Sequence, residues 1–225
     1  SIKNTPKKKV LISAGPTKEP LDPVRFISNH STGKMGYALA EEFASKGAEV
    51  DLVSGPVSIS SHNPSIKVHK VNTASEMFDQ CIKLASNADI IVMSAAVSDY
   101  RPESVSKQKI KKEKEELIIR FVKNRDILAH LGKIKKKGQF LVGFALESEN
   151  EIANSFKKLC EKNLDMIVLN SLKDKGAGFE GDTNKISILF PNQKIITFEL
   201  KNKTDVATDI VNTIENELSS KKYNL

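Results

Sequence analysis

The chain has 225 residues, 39% of them hydrophobic, enough for one sizeable core, and its two cysteines exclude a disulfide-stapled miniprotein. A net charge of +7 and a pI near 9.2 point to anionic partners, meaning phosphorylated metabolites, nucleotides or nucleic acid. No apolar run approaches the roughly 18 residues of a membrane span, and 6% aromatics without Trp argue against single-strand binding through stacked bases.

Residues 1–9 end in a lysine run with no apolar core behind it, so a linker or tail is expected rather than a signal peptide. The start at Ser1 rather than Met suggests a fragment or a processed chain. Apolar segments then recur evenly without a low-complexity linker, and one domain is expected over residues 10–225. Val10–Ala14, cut off by Gly15-Pro16, predicts the first buried strand. The stretch from Gly15 to Gly36 is several times longer than the usual strand-to-helix loop of about 2–6 residues. Pro20 and Pro23 stiffen it, and it finishes on Ser28-Asn-His-Ser-Thr-Gly33. Ser31, Thr32 and Gly33 are expected to offer backbone N–H groups to an anion at a helix start, with Lys34 adding charge. The plainer reading is an ordinary cap on a surface helix. Neither a Walker loop nor a dinucleotide fingerprint fits: Gly33 and Gly36 leave no Gly-x-Gly, and Ser54 rather than an acid ends the second strand.

Met35, Leu39 and Phe43 give a helix over Gly33–Lys46, stopped by Gly47. Val50–Ser54, Val68–Val71 and Asp89–Ser94 read as strands. The capping box Thr73-Ala-Ser-Glu76 opens a helix to Ala85 with Met77, Cys81 and Leu84 inward. Ala95 to Glu116 has no sustained period. Within it Ala95 and Ala96 leave room for a ligand against the backbone, and Asp99 suits ribose hydroxyls or a hydrated magnesium; close packing and a turn carboxylate explain them equally well. The lysines from Lys107 to Lys112, with Lys114, form either a solvated loop or a lid over a polyphosphate. Leu117–Val122 is β-rich, Asp126–Leu131 a short helix and Phe140–Phe144 a strand. Glu151–Lys162 is a helix with Ile152, Phe156 and Leu159 on one face, and Met166–Leu169 a strand. A hairpin flanks Pro191-Asn-Gln193, and Thr204–Leu218 closes the chain as a helix with Val206, Ile210, Ile214 and Leu218 in line. Lys158 and Lys162, one turn apart, either clamp a polyphosphate or are merely exposed. Phe144 is either core or a platform for a base. Cys81 and Cys160 form no metal pair, which suits a reducing cytosol, and His30, His62, His69 and His130 make no metal-spaced set. The alternation predicts an α/β fold: a Rossmann-like, doubly wound, mostly parallel sheet with an antiparallel edge hairpin. Ligands are expected beyond the carboxyl ends of its strands, at Gly15, Ser54, Ser94–Asp99, Gly143-Phe144 and Asn170.

Several blocks then coincide in order: Ala14-Gly-Pro-Thr-x-Glu-Pro-Leu-Asp-Pro-Val-Arg25, Ile27-Ser-Asn-His-Ser-Thr-Gly-Lys-Met-Gly36, Leu52-Val-Ser-Gly-Pro-Val57, Ala95-Ala-Val-x-Asp-Tyr-Arg101, Lys109-Ile-Lys-Lys112 and Asn163-Leu-Asp-x-Ile167. From about Val10 to Leu218 the chain resembles the phosphopantothenate–cysteine ligases, in the form fused behind a flavin-dependent decarboxylase in bacteria. The resemblance implies CTP-dependent ligation of 4′-phosphopantothenate to L-cysteine through an acyl-cytidylate, with Mg²⁺ accompanying the triphosphate, in a cytoplasmic homodimer. By the family's pattern Asn29 steadies the activated intermediate and Lys109, on a closing loop, serves the amide-forming step. Met93, Ser94, Ala95, Asp99, Lys109, Arg125, Asp126, Ile127, Leu128, Phe144, Lys158 and Lys162 fall at CTP-contacting positions. Gly15, Ser31, Thr32, Gly33 and Ala96 are the phosphate- and substrate-binding candidates; no metal ligands are assigned. Arg125 replaces a common proline, and Leu146 is bulkier than usual. Neither flavin nor decarboxylase activity is expected of this chain. A nicotinamide-dependent oxidoreductase on the same fold is the alternative, and a nucleic-acid-binding module a third class.

Overall fold

A computed structural model describes residues 7–111, 116–147, 149–171 and 182–223. In chain order it runs β1 (Lys9–Ala14), β2 (Lys18–Pro20), β3 (Phe26–Ser28), α1 (Lys34–Ser45), β4 (Glu49–Ser54), β5 (Ile66–Lys70) and α2 (Ala74–Ala85). The middle holds β6 (Ile90–Met93), β7 (Tyr100–Pro102), β8 (Phe121–Lys123), α3 (Ile127–Ile134), β9 (Phe140–Glu147) and α4 (Glu151–Glu161). β10 (Met166–Ser171), β11 (Thr183–Asn184), β12 (Ile186–Leu189), β13 (Ile195–Thr197), β14 (Lys201–Asn202) and α5 (Lys203–Tyr223) complete it.

One eight-stranded sheet has the order β13-β12-β10-β9-β6-β1-β4-β5. Its six strands from β10 to β5 are parallel, and β12 and β13 add the antiparallel edge hairpin. The fold class read from the sequence is therefore the one observed. The aliphatic runs of β1 and β6 are buried on both sides, as parallel strands covered by helices require. α1 and α5 cover one face through Leu39, Phe43, Val206, Ile210 and Ile214. α2, α3 and α4 cover the other through Met77, Cys81, Leu131 and Leu159. Among the described residues no helix is long and apolar enough to cross a membrane.

The structure departs from the sequence reading where local signals are weak. β5 begins at Ile66, earlier than Val68, because it pairs in register with Val50 to Ser54 of β4. β9 continues past Phe144 to Glu147, zipped to β10. Of the β-rich stretch Leu117–Val122, only its last residues enter a strand, β8, which pairs with β7 as a small ribbon. A second ribbon, β2–β3, lies inside the long loop after β1. Strands of three residues carry no readable period. Ile152 of α4 is exposed instead of sharing the buried face of Leu159. The capping box is skewed by one residue: Thr73 Oγ1 accepts the Glu76 N–H at 3.2 Å, but Glu76 Oε2 accepts from the N–H of Asn72, not Thr73. The hairpin turns at Gln193, whose φ is 65°. The lid candidates Lys112 and Lys114 lie outside the described residues.

Candidate active site

Strand order reverses about β1, with β4 on one side and β6 on the other, so a crevice opens where their carboxyl ends diverge. Hydrogen bonds knit its floor. Ser94 Oγ donates to the Ser13 carbonyl at 2.7 Å, and the Ala96 N–H donates to the Gly15 carbonyl at 2.9 Å. The long loop folds back over this floor: Ser28 Oγ donates to the Thr17 carbonyl at 2.8 Å, and Thr17 Oγ1 accepts the Ser98 N–H at 3.0 Å. Asn29 Nδ2 donates to the Ala96 carbonyl at 2.9 Å, which holds its amide over the crevice. α1 starts close to β1 because Gly36 has no side chain; a Cβ there would lie 2.4 Å from that of Ala14.

The crevice forms two chambers. The first, about 310 Å³, is lined by Gly15, Asn29, Ser31, Thr32, Gly33 and Ala96, together with Ser94. Gly33 is the N-cap of α1 at φ 78°, and no side-chain hydrogen bond and no acid satisfy the first turn. Ser31 Oγ accepts the Gly33 N–H at 3.3 Å, so this donor, expected to face an anion, is already engaged. The donors left are those of the first helical turn.

The second chamber, about 590 Å³, is lined by Met93, Arg125, Asp126, Ile127, Leu128, Lys158 and Lys162. Ala95, Val97, Asp99 and Phe144 line both chambers and form the passage between them. Three cations of the second chamber, which Lys123 also lines, are paired. Lys158 meets Glu147 at 2.5 Å, Lys162 meets Asp126 at 2.8 Å and Arg125 meets Asp79 at 2.7 Å. Arg125 also stacks 3.8 Å from the ring centre of Phe78. Asp126 is the N-cap of α3, accepting the Ala129 N–H at 2.9 Å. Burial pushes its carboxyl up, but hydrogen bonds from Lys162 and Ala129 outweigh this and leave it below its ordinary value.

Residues 5–218 match the family model of the DNA/pantothenate metabolism flavoprotein C-terminal domain. This chain belongs to that family. A cysteine/cysteine sulfinic acid decarboxylase from an unknown prokaryotic organism is 51% identical over 92% of this chain and 58% of its own length. The coenzyme A biosynthesis bifunctional protein CoaBC of Bacillus subtilis (strain 168) is 42% identical over 92% of this chain and 51% of its own. The chain thus spans about half the length of the curated relatives it matches. The crystal structure of the C-terminal domain of a coenzyme A biosynthesis bifunctional protein CoaBC superposes with a TM-score of 0.80 and 40% identity, covering 96% of this chain and all of that one.

In this member of the flavoprotein C-terminal-domain family, Lys109 lines neither chamber. It lies in a separate groove with Arg25, Gln108, Ile110 and Lys111. What anchors that segment is Asp22, buried in the long loop and overlooked in the sequence. Its carboxylate accepts from the Arg25 guanidinium at 2.6 Å and from the Ile110 N–H at 3.1 Å. Arg25 in turn donates to the Ile110 carbonyl at 3.0 Å. The Arg25 hydrogen bond is the main reason the Asp22 carboxyl sits well below the usual carboxylate range. Asn184 and Lys203, also in the first chamber, escaped the sequence reading, whereas Asn170 lines it as its strand-end position predicted. Ser54, where an oxidoreductase would carry a ribose-binding acid, is buried and bonded to Tyr37 Oη at 3.1 Å. Among the described residues no group of three or more His, Cys, Asp or Glu is placed to hold a metal ion.

Proposed function

We propose that this chain is a ligase domain, spanning residues 10–225, that joins 4′-phosphopantothenate to L-cysteine at the expense of CTP. The observation that carries the reading is the pair of chambers meeting at Asp99 and Phe144, with Asn29 lining the first and held to the Ala96 carbonyl. Two polyanions must be brought together, and two adjoining cavities let each be held by its own donors. In the first step the carboxylate of phosphopantothenate attacks the α-phosphorus of CTP and pyrophosphate leaves. In the second the amine of cysteine attacks the acyl carbon, CMP leaves and the amine loses a proton. Asn29 is suited to donate to the carbonyl oxygen as negative charge develops on it. Lys158, Lys162 and the first turn of α3 are suited to phosphate oxygens, Phe144 to a base or ribose, and the first turn of α1 to a second anion. Lys109 belongs to a loop that closes for the second step.

Mg²⁺ is bound typically by one or two carboxylates plus substrate phosphates, and Asp99, open to both chambers, fits that donor set. When bound it would neutralise triphosphate charge. The reaction needs no flavin. The length of the relatives and the word bifunctional in their name support a fused flavin-dependent decarboxylase in the natural protein. Decarboxylation, named for the 51% identical relative, is assigned to that other half and not to this chain. A homodimer accords with the exposed Val24, Phe26 and Ile27 at one ribbon and Tyr100 and Phe121 on the other. Free Cys81 and Cys160 accord with a cytoplasmic location. No nucleic acid or membrane is part of the reading.

The test is pyrophosphate release. It is expected only when CTP, phosphopantothenate and Mg²⁺ are all present, with phosphopantothenoylcysteine forming once cysteine is added. A folded chain that releases none under these conditions overturns the assignment, and equal use of ATP removes the CTP preference.

A further inference from the structure

One side of the first chamber, not shared with the second, is lined by Lys203, Asn184 and Lys34. Lys203 opens α5 and is 7% exposed, and Asn184 is 3% exposed, so both are built into the wall. The local chain fold dictates this. The β11–β14 ribbon pairs Asn184 with Lys201, and the Lys203 N–H donates to the Asp182 carbonyl at 2.9 Å. Asp182 also binds Lys34 Nζ at 2.5 Å, bridging the start of α1 to the start of α5. Two ammonium groups therefore border one cavity beside a single carboxylate. Burial and the charge of Lys34 push the Lys203 ammonium below its ordinary value, and Asp182 only partly offsets them. A buried ammonium with a second, partly exposed one beside it is costly in the empty protein, and the cost is relieved when an anion enters. No other cationic side chain among the described residues lines this chamber. Asn170 Oδ1, buried in the same wall, has no hydrogen-bond partner among the described residues, so its amide can turn either end to a ligand.

We propose that Lys203, with Lys34 and Asn184, forms a phosphoryl-anion subsite on this side of the first chamber. The ligand chemistry is a phosphate oxygen cluster, from either the polyphosphate of the nucleotide or the phosphomonoester of the acid substrate. Which of these it is rests on the ligase reading; the existence of the subsite does not.

Titration calorimetry with inorganic tripolyphosphate tests it on the intact chain. Lys203→Met is expected to weaken binding about tenfold or more, and Lys34→Met, on a more exposed lysine, about threefold. Lys203→Arg should stay within about threefold of wild type, because it keeps the charge. Should Lys203→Met fail to fold, as judged by its melting curve, the Lys34→Met and Lys203→Arg titrations carry the decision. Loss confined to CTP assigns the polyphosphate, and loss confined to phosphopantothenate assigns the phosphomonoester. Wild-type tripolyphosphate affinity in both methionine variants, with unchanged KM for both substrates, overturns the subsite and leaves the ligase reading standing. Conversely, Lys203-dependent tripolyphosphate binding in a protein that binds neither CTP nor phosphopantothenate keeps the subsite and removes the ligase.

Discussion

The two chambers solve the problem of holding anions in opposite ways. The first relies on backbone and neutral donors: the uncapped start of α1, the Asn29 amide and the knitted floor between Ser13 and Ala96. Its cations stand to one side. The second is walled by cations already matched to carboxylates, Lys158 to Glu147 and Lys162 to Asp126. A rigid set of neutral donors needs no rearrangement and so suits a transition state, whereas exchangeable ion pairs suit a ligand that must arrive and leave. Chemistry is thus expected to concentrate around Asn29, and nucleotide affinity around Lys158 and Lys162.

The sharpest way to break this contrast is Asn29→Asp. The change is nearly isosteric but sets a carboxylate where negative charge develops. Turnover is expected to fall by about 10²–10³-fold. Loss of the bond to the Ala96 carbonyl should move the melting temperature little, since Asn29 is exposed on the loop. Near-normal turnover would place the chemistry elsewhere and dissolve the distinction between the chambers.

How much of this contrast could be read from residue order depends on the kind of signal. β1 and β6 were legible as short unbroken aliphatic runs and α5 by its helical period, and the long loop between β1 and α1 marked the first chamber by its length. The Ser31–Gly33 cap was legible as a composition, but not its internal bond from Gly33 N to Ser31 Oγ, which is a matter of rotamer. Lys158 and Lys162 were visible as a helical pair; their carboxylate partners come from β9 and from the cap of α3, distant in sequence. Lys203 carried no signal at all. A lysine at a helix start after a hydrophilic stretch looks like solvent-facing surface, and only the packing of α5 beside α1 makes it a cavity wall. Likewise nothing in the residue order assigned Asp22 a role, because its partner Ile110 is brought to it only by the fold.

A middle-sized effect sharpens the role of the second chamber. Lys162→Met should raise the KM for CTP about tenfold, the order of one charge-assisted hydrogen bond, with kcat changed less. Asp126 keeps its cap on α3, so stability should fall by less than about 1 kcal/mol, as for other partly exposed pairs. Adding Asp126→Ala, which removes the cap oxygen, separates the two roles: the double variant should lose about 1 kcal/mol of helix stability without a proportionate further rise in KM. A Lys162→Met protein that melts markedly lower yet binds CTP normally would make the ion pair structural and leave the chambers alike.

The smallest expected effect concerns what holds the Lys109 segment outside both chambers. Asp22 ties the long loop to Ile110, and its carboxyl is depressed chiefly by Arg25, with the Ile110 and Val24 N–H groups adding to the shift against burial. A depressed carboxyl contributes stability that is complete above its unfolded value of about 3.9 and fades only as the pH falls through the lower folded value. The clamp is therefore expected to hold unchanged between about pH 7 and pH 5, and hydrogen exchange at the Ile110 amide should show the same protection factor at both. Asp22→Asn replaces one acceptor oxygen with an amino group facing donors from Arg25 and Ile110. Ile110 should then exchange about tenfold faster at either pH, while the melting temperature, set by the central sheet, moves by no more than about 2 °C. If the variant protects Ile110 as the wild type does, Asp22 is not the tether. The segment bearing Lys109 would then be held by its other ties to the long loop, from Arg25 to the Ile110 carbonyl and from the Ser106 N–H to the Leu21 carbonyl, and the Asp22 carboxylate would not be the restraint that substrate binding must release.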